Sequence, residues 1–144
     1  MLIGILSDTH DNTEMTIKAV SCLNREGVEH VLHAGDYVAP FMIDILKDLS
    51  AHMTGVFGNN DGDRFLLEKK SAAYPHLKIA GTFARLDAGG MKIALLRGKD
   101  RELLETLAGC SSLDLLVYGH THRTEVRKQG SPLRSSTPVK CTGT

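Results

Sequence analysis

An α/β fold is predicted for this chain by three observations. From Leu2 to Phe57, short apolar runs alternate with helix-period segments in the order β-α-β-α-β. Around Ala88-Gly89-Gly90 the pattern changes to a hairpin, and a further buried strand, Leu113 to Tyr118, follows. With 144 residues, 42% apolar and 24% charged, the chain has material for one domain with a single sizeable core.

Leu2 to Leu6 is an apolar run ending at Ser7-Asp8, a buried strand. Residues 12–26 read as a helix: Asn12 or Thr13 caps it, Met15, Ala19, Cys22 and Leu23 give helical apolar spacing, and Gly27 stops it. His30 to Ala34 is the second strand, ending at Gly35-Asp36. Pro40 to Leu49 is the second helix, with proline in its first turn. Met53 to Phe57 is the third strand. Arg64 to Ala73 reads as helical, after which Pro75 and Gly81 punctuate the chain. Phe83 to Asp87 and Met91 to Leu96 flank the hairpin turn, and Asp100 to Leu107 is a helix ended by Gly109. Leu113 to Tyr118 and Thr124 to Lys128 complete the strands. The economical architecture is a mixed sheet, or two packed sheets with helices outside. Residues 1–130 form the expected domain. Residues 131–144 are polar, carry two prolines and have no period, so they read as an atypical tail.

Composition excludes several classes. Formal net charge is zero and the pI lies near neutrality, so there is no strong nucleic-acid-binding signal and no membrane-binding surface. No apolar run reaches 18 residues, and the N-terminus lacks the charged region of a signal peptide. Three scattered cysteines, Cys22, Cys110 and Cys141, suggest reduced thiols in a cytoplasmic protein.

Five clusters follow the strands: Asp8-Thr9-His10, Gly35-Asp36, Gly58-Asn59-Asn60-Asp61, Arg97-Gly98 and Gly119-His120-Thr121-His122. Parallel strands deliver their C-terminal ends to one edge of a sheet, so groups placed there converge. Carboxylate, imidazole and amide oxygen suit Mn²⁺, Fe²⁺ or Zn²⁺, and no cysteine lies near. A carboxylate such as Asp36 can bridge two ions. Two ions roughly 3.5–4 Å apart clamp a phosphoryl group and acidify a water between them. Each cluster also has a bland reading. Asp8 is placed to cap the next helix, and Asn59-Asn60-Asp61-Gly62 is an ordinary turn sequence. The pair His120 and His122 is the most specific piece, and the ordered set outweighs its parts. His30, His33, His52 and His76 read as structural or surface residues.

The ordered motifs D-x-H, G-D, G-N-N-D and G-H-T-H resemble those of the calcineurin-like metallophosphoesterases. The spacing is most similar to their small prokaryotic phosphodiesterase branch, which is related in fold to the retromer scaffold subunit. The resemblance runs from Met1 to about Lys128. It implies a four-layer α/β/β/α sandwich of two mixed sheets. It implies a first metal held by Asp8, His10, Asp36 and His122, and a second held by Asp36, Asn59 and His120. Manganese is the foremost metal, with nickel, iron, zinc and magnesium as alternatives. The implied reaction is hydrolysis of small phosphodiesters through a metal-activated water. Asp36, Asn59, Asn60, His120 and Arg97 form the catalytic group. Asn60 stands where related phosphatases place a histidine that assists the leaving group.

Two departures qualify that expectation. Leu96-Arg97-Gly98 falls where the family usually has a histidine ligand, and a guanidinium is not an ordinary metal ligand. The first site is therefore expected to survive and the second to be weakened, with Arg97 placed either to bind substrate phosphate or to occupy the second ion's space as a fixed charge. The tail is the other departure. A back-translation of Thr137 to Gly143 spells Asn-Pro-Gly-Glu-Val-Tyr-Gly in a shifted frame, close to the family's usual turn, so a frameshift is expected from about Ser131. The C-terminal strands would then be missing, and the exposed edge favours a homodimer. Two rival functions share the fold: a non-catalytic scaffold, and a sensor binding one metal or a nucleotide. The near-complete ligand set argues for the enzyme.

Overall fold

The structure, a computed structural model, describes residues 1–120 and the backbone of 125–128. Two four-stranded sheets lie face to face. The first has the order β1 (Ile3–Leu6), β2 (His30–His33), β3 (His52–Gly55), β4 (Leu77–Ile79), all parallel. The second has the order β5 (Phe83–Ala88), β6 (Met91–Leu96), β7 (Leu115–Tyr118), β8 (Glu125–Lys128). There β6 and β7 are parallel and the two outer pairings antiparallel. Among the described residues only the second sheet is mixed, where the sequence led us to expect two. The first is parallel because every connection between its strands carries a helical segment.

Side-chain alternation sorts the core into three slabs. Val31 of β2 and Met53 of β3 face α1 (Thr13–Arg25), α2 (Ile43–Leu46) and α3 (Arg64–Ala72), and pack with Val20, Leu23, Ile43 and Leu67. Leu32 and Val56 face the second sheet and meet Ile93, Leu95 and Val117. The opposite faces of β6 and β7, through Ala94, Leu96, Leu116 and Tyr118, meet Leu104 and Leu107 of α4 (Arg101–Ala108). The result is the four-layer α/β/β/α sandwich. Each fully buried aliphatic side chain contributes about 1.5–3 kcal/mol relative to exposure.

The helices start where their caps allow. Asn12, not Thr13, caps α1 by accepting from the Met15 N–H at 3.1 Å, and Asp63 and Asp100 do the same for α3 and α4. The expected helix over Pro40–Leu49 is shorter. It is a 3₁₀ turn, Pro40–Met42, followed by the four residues of α2, and tightens again where the Leu49 N–H donates to the Leu46 carbonyl. Strand β4 was not foreseen, because three residues are too few to show a period. Cys110 carries a thiol, its Sγ 3.1 Å from Ser112 Oγ. No helix among the described residues is long and apolar enough to cross a membrane. The tail 131–144, its proposed frameshift and the terminal strands it would remove lie outside the described residues.

Candidate metal centre

Leu6, His33 and Gly55 stand level across β1, β2 and β3, so the loops that follow start side by side at one edge. Backbone bonds then sew two of them together: the Asp8 N–H donates to the Gly35 carbonyl at 3.1 Å and the His10 N–H to the Asp36 carbonyl at 2.9 Å. From the second sheet, Leu96 and Tyr118 are paired in register, which delivers Arg97 and Gly119 to the same edge.

The loops turn sharply. Among the described residues, Asp8 (φ 55°), His10 (φ 47°), Asp36 (φ 64°), Val38 (φ 69°) and His120 (φ 83°) are the non-glycine residues with positive φ. Four of these five carry ligand-type side chains, which is the clustering of backbone strain expected at a working site. A Cβ at Gly58 would clash with Asp36 Oδ1, so only glycine lets the third loop approach so closely.

Asp8, His10 and Asp36 each offer a ligand atom within 4.8 Å of the others. His10 Nε2 lies 3.8 Å from Asp8 Oδ1 and 3.6 Å from Asp36 Oδ2, separations that one ion of ordinary bond length can span. Asp36 is fully buried and its carboxylate is held from two directions. Oδ1 accepts from the Asn60 N–H at 3.0 Å, and Oδ2 accepts from Asn60 Nδ2 at 2.8 Å.

Arg97 enters this group from the opposite sheet and is only 7% exposed. Its Nη2 donates to Asp8 Oδ1 at 2.5 Å and to Asp36 Oδ2 at 2.6 Å. Its Nε donates to Asn59 Oδ1 at 3.0 Å, and its Nη1 to Ser7 Oγ at 3.3 Å. The sequence suggested that Arg97 would disturb the second ion alone. Its side chain also reaches Asp8, one of the groups expected at the first. His120 follows β7 on a strand end bound to the site, the Gly119 N–H donating to the Arg97 carbonyl at 3.1 Å. His122 lies outside the described residues.

Three residues outside the predicted site set support it. Asp61 is buried, and its carboxylate accepts from the backbone N–H groups of Asp36 (3.0 Å), Val38 (2.7 Å) and Gly58 (2.6 Å), clamping two loops together. Its place at the end of G-N-N-D was the only available signal. Ser7 Oγ donates to Asp8 Oδ2 at 2.5 Å. His33 is fully buried, stacks on Tyr37 at 4.1 Å between centroids, accepts from the Gly35 N–H at Nδ1 and meets Thr9 Oγ1 through Nε2. Burial, then the Arg97 charge, lowers its pKa to about 3, against the opposing pull of Asp8 and Asp36. The neutral ring is thus a structural strut, as its flanking position suggested.

Two sheets with helices outside, and a cluster of acidic, imidazole and amide groups at their shared edge, define a metal-dependent phosphoesterase class. The calcineurin-like phosphoesterase superfamily domain matches residues 1–136, and the chain belongs to that superfamily. It is 33% identical to phosphodiesterase MJ0936 of Methanocaldococcus jannaschii over 143 residues, covering 99% of this chain and 86% of that protein. An archaeal phosphodiesterase structure superposes with a TM-score of 0.81 at 35% identity, over 85% of this chain and 74% of that one. A single mutant of Vps29 from Entamoeba histolytica superposes with a TM-score of 0.61 at 25% identity, over 92% of this chain and 71% of that one.

Proposed function

We propose that the protein is a metal-dependent phosphodiesterase acting on small phosphodiesters. The observation that carries this reading is the convergence of Asp8, His10 and Asp36 in a chain similar over nearly its whole length to a phosphodiesterase. The donor set is hard oxygen plus one imidazole, which fits a divalent ion such as manganese, with nickel, iron, zinc and magnesium as alternatives. Asp8, His10 and Asp36, joined by His122, are the residues that would hold it. A divalent ion there supplies Lewis-acid polarisation of a phosphoryl oxygen and a water acidified towards neutrality.

The chain's own residues prepare the ground for that ion. Asn60 fixes the rotamer of Asp36 through two hydrogen bonds. Asp61 fixes the backbone on which Asp36 sits. Asn59 turns its oxygen inward, and Arg97 brings positive charge to the place where an anionic ester would dock. A pure scaffold has no use for so many converging ligand-type groups, and the scaffold reading is not favoured.

The test is hydrolysis of bis(p-nitrophenyl) phosphate by protein stripped with chelator and reloaded with Mn²⁺. Turnover is expected only after reloading, and Asp36→Asn is expected to lower it by roughly 100-fold or more. Equal turnover by the stripped and reloaded protein, or by the variant, would sink the proposal.

A further inference from the structure

We propose that Arg97 is the built-in second cation of this centre, so that the protein takes one divalent ion per chain instead of two. The inference rests on the metal-dependent reading above and concerns which positive charges complete the site.

The argument starts from the acceptors. A second ion needs Asp36 and Asn59 as oxygen ligands. In this chain both oxygens already accept from a single guanidinium, Asp36 Oδ2 from Nη2 and Asn59 Oδ1 from Nε. The same group also contacts Asp8 Oδ1 and Ser7 Oγ. Four of the five N–H groups of the guanidinium therefore point at four acceptors from three loops of the opposite sheet. An arginine that merely filled space would not be expected to match so many acceptors. The planar fork is anchored on both sides, which fixes its position.

Charge points the same way. Asp8 and Asp36 are two carboxylates, and Asp36 is fully buried. With the buried Asp61 carboxylate beside them also counted, one divalent ion and the guanidinium already balance the acidic charge. A second divalent ion would add two more positive charges beside an arginine that is 7% exposed and cannot shed its proton. The second site therefore does not fit an ion while Arg97 holds its place. The first does: Asp8, His10 and Asp36 remain within 4.8 Å of one another with the arginine present. The carboxylate oxygens carry more lone pairs than the arginine uses, so Asp8 and Asp36 can serve an ion and the guanidinium together.

The experiment is Mn²⁺ titration of the stripped full-length chain, read by bound metal per chain and by electron paramagnetic resonance. The wild-type protein is expected to saturate at one Mn²⁺ with the six-line signal of an isolated ion. Arg97→His removes the fixed charge and offers a neutral imidazole. It is expected to take two ions and show the attenuated signal of a coupled pair. Two ions in the wild-type protein would overturn the proposal and leave the phosphodiesterase reading intact. No ion in the wild-type protein but uptake by Arg97→His would also overturn it, since the guanidinium would then exclude both metals. No uptake by either protein would overturn the metal-dependent reading itself. Should Arg97→His fail to fold, as judged by circular dichroism, Arg97→Gln serves in its place. Arg97→Gln keeps a hydrogen-bond donor without the charge. It is expected to bind a second ion weakly at high Mn²⁺, and its saturation at one would overturn the charge argument.

Discussion

Asp61 holds three backbone N–H groups from two loops, and its removal would leave all three without an acceptor in a buried place. Each buried donor left without a partner costs about 1–3 kcal/mol. Asp61→Ala is therefore expected to lose roughly 3 kcal/mol or more of stability, read as a lower urea midpoint at unchanged slope. Its Mn²⁺ affinity should also fall, by about 10-fold or more, because Asp36 rides on the loop that Asp61 clamps. An unchanged urea midpoint would rule this role out. Individual residues were legible in the sequence where chemistry and position coincided. The convergence of Asp8, His10 and Asp36 was legible because neighbouring parallel strands deliver their ends to one edge of the sheet. Arg97 was found as a departure, but its direction of approach was not legible: that depends on how the second sheet packs on the first. Asp61 was hidden for a similar reason, since its partners Asp36 and Val38 are more than 20 residues away.

The helices cover their sheets unequally. Helix α1 buries Thr16, Val20, Cys22 and Leu23, and shares its face of the first sheet with α2 and α3. Helix α4 has no fully buried residue and covers the second sheet with half-buried Leu104, Leu107 and Ala108. In hydrogen exchange the amides of α4 are expected to be less protected than those of α1 by about 10-fold or more, because few apolar contacts hold the element down. Equal protection would mean that the cover on the two faces is energetically even. The elements were largely legible. The hairpin over β5 and β6 followed from Ala88-Gly89-Gly90, and the antiparallel pair Ala88 to Met91 closes that turn. The α2 segment was read too long, because Pro40 opens a 3₁₀ turn that the apolar pattern of Met42, Ile43 and Leu46 cannot be told from. The division into two sheets was less legible than the strands, since partner choice among strands is decided by packing beyond the local pattern.

Across the molecule, stability is expected to follow the protonation of His33. Its pKa is about 3 when folded and about 6.5 in an unfolded chain. Between those values the unfolded chain binds a proton that the native protein does not, so stability is fully present above pH 6.5 and declines as pH falls. Between about pH 7 and pH 5 this group costs about 2 kcal/mol. The urea midpoint should fall accordingly, and His33→Gln should flatten that slope. The charges of Asp8, Asp36 and Arg97 act on the ring and set the remaining balance. A wild-type slope matched by the variant would assign the pH response elsewhere. The bond of Arg97 to Asp8 and Asp36 reaches from one sheet to the other. Because that counter-charge belongs to the polypeptide, the acidic edge finds a partner as soon as the layers close. Many small metalloproteins need their ion as a template for folding. This chain is therefore expected to fold without an ion and to receive one late, as cargo delivered to a finished vessel; a urea midpoint lost on chelation would contradict that.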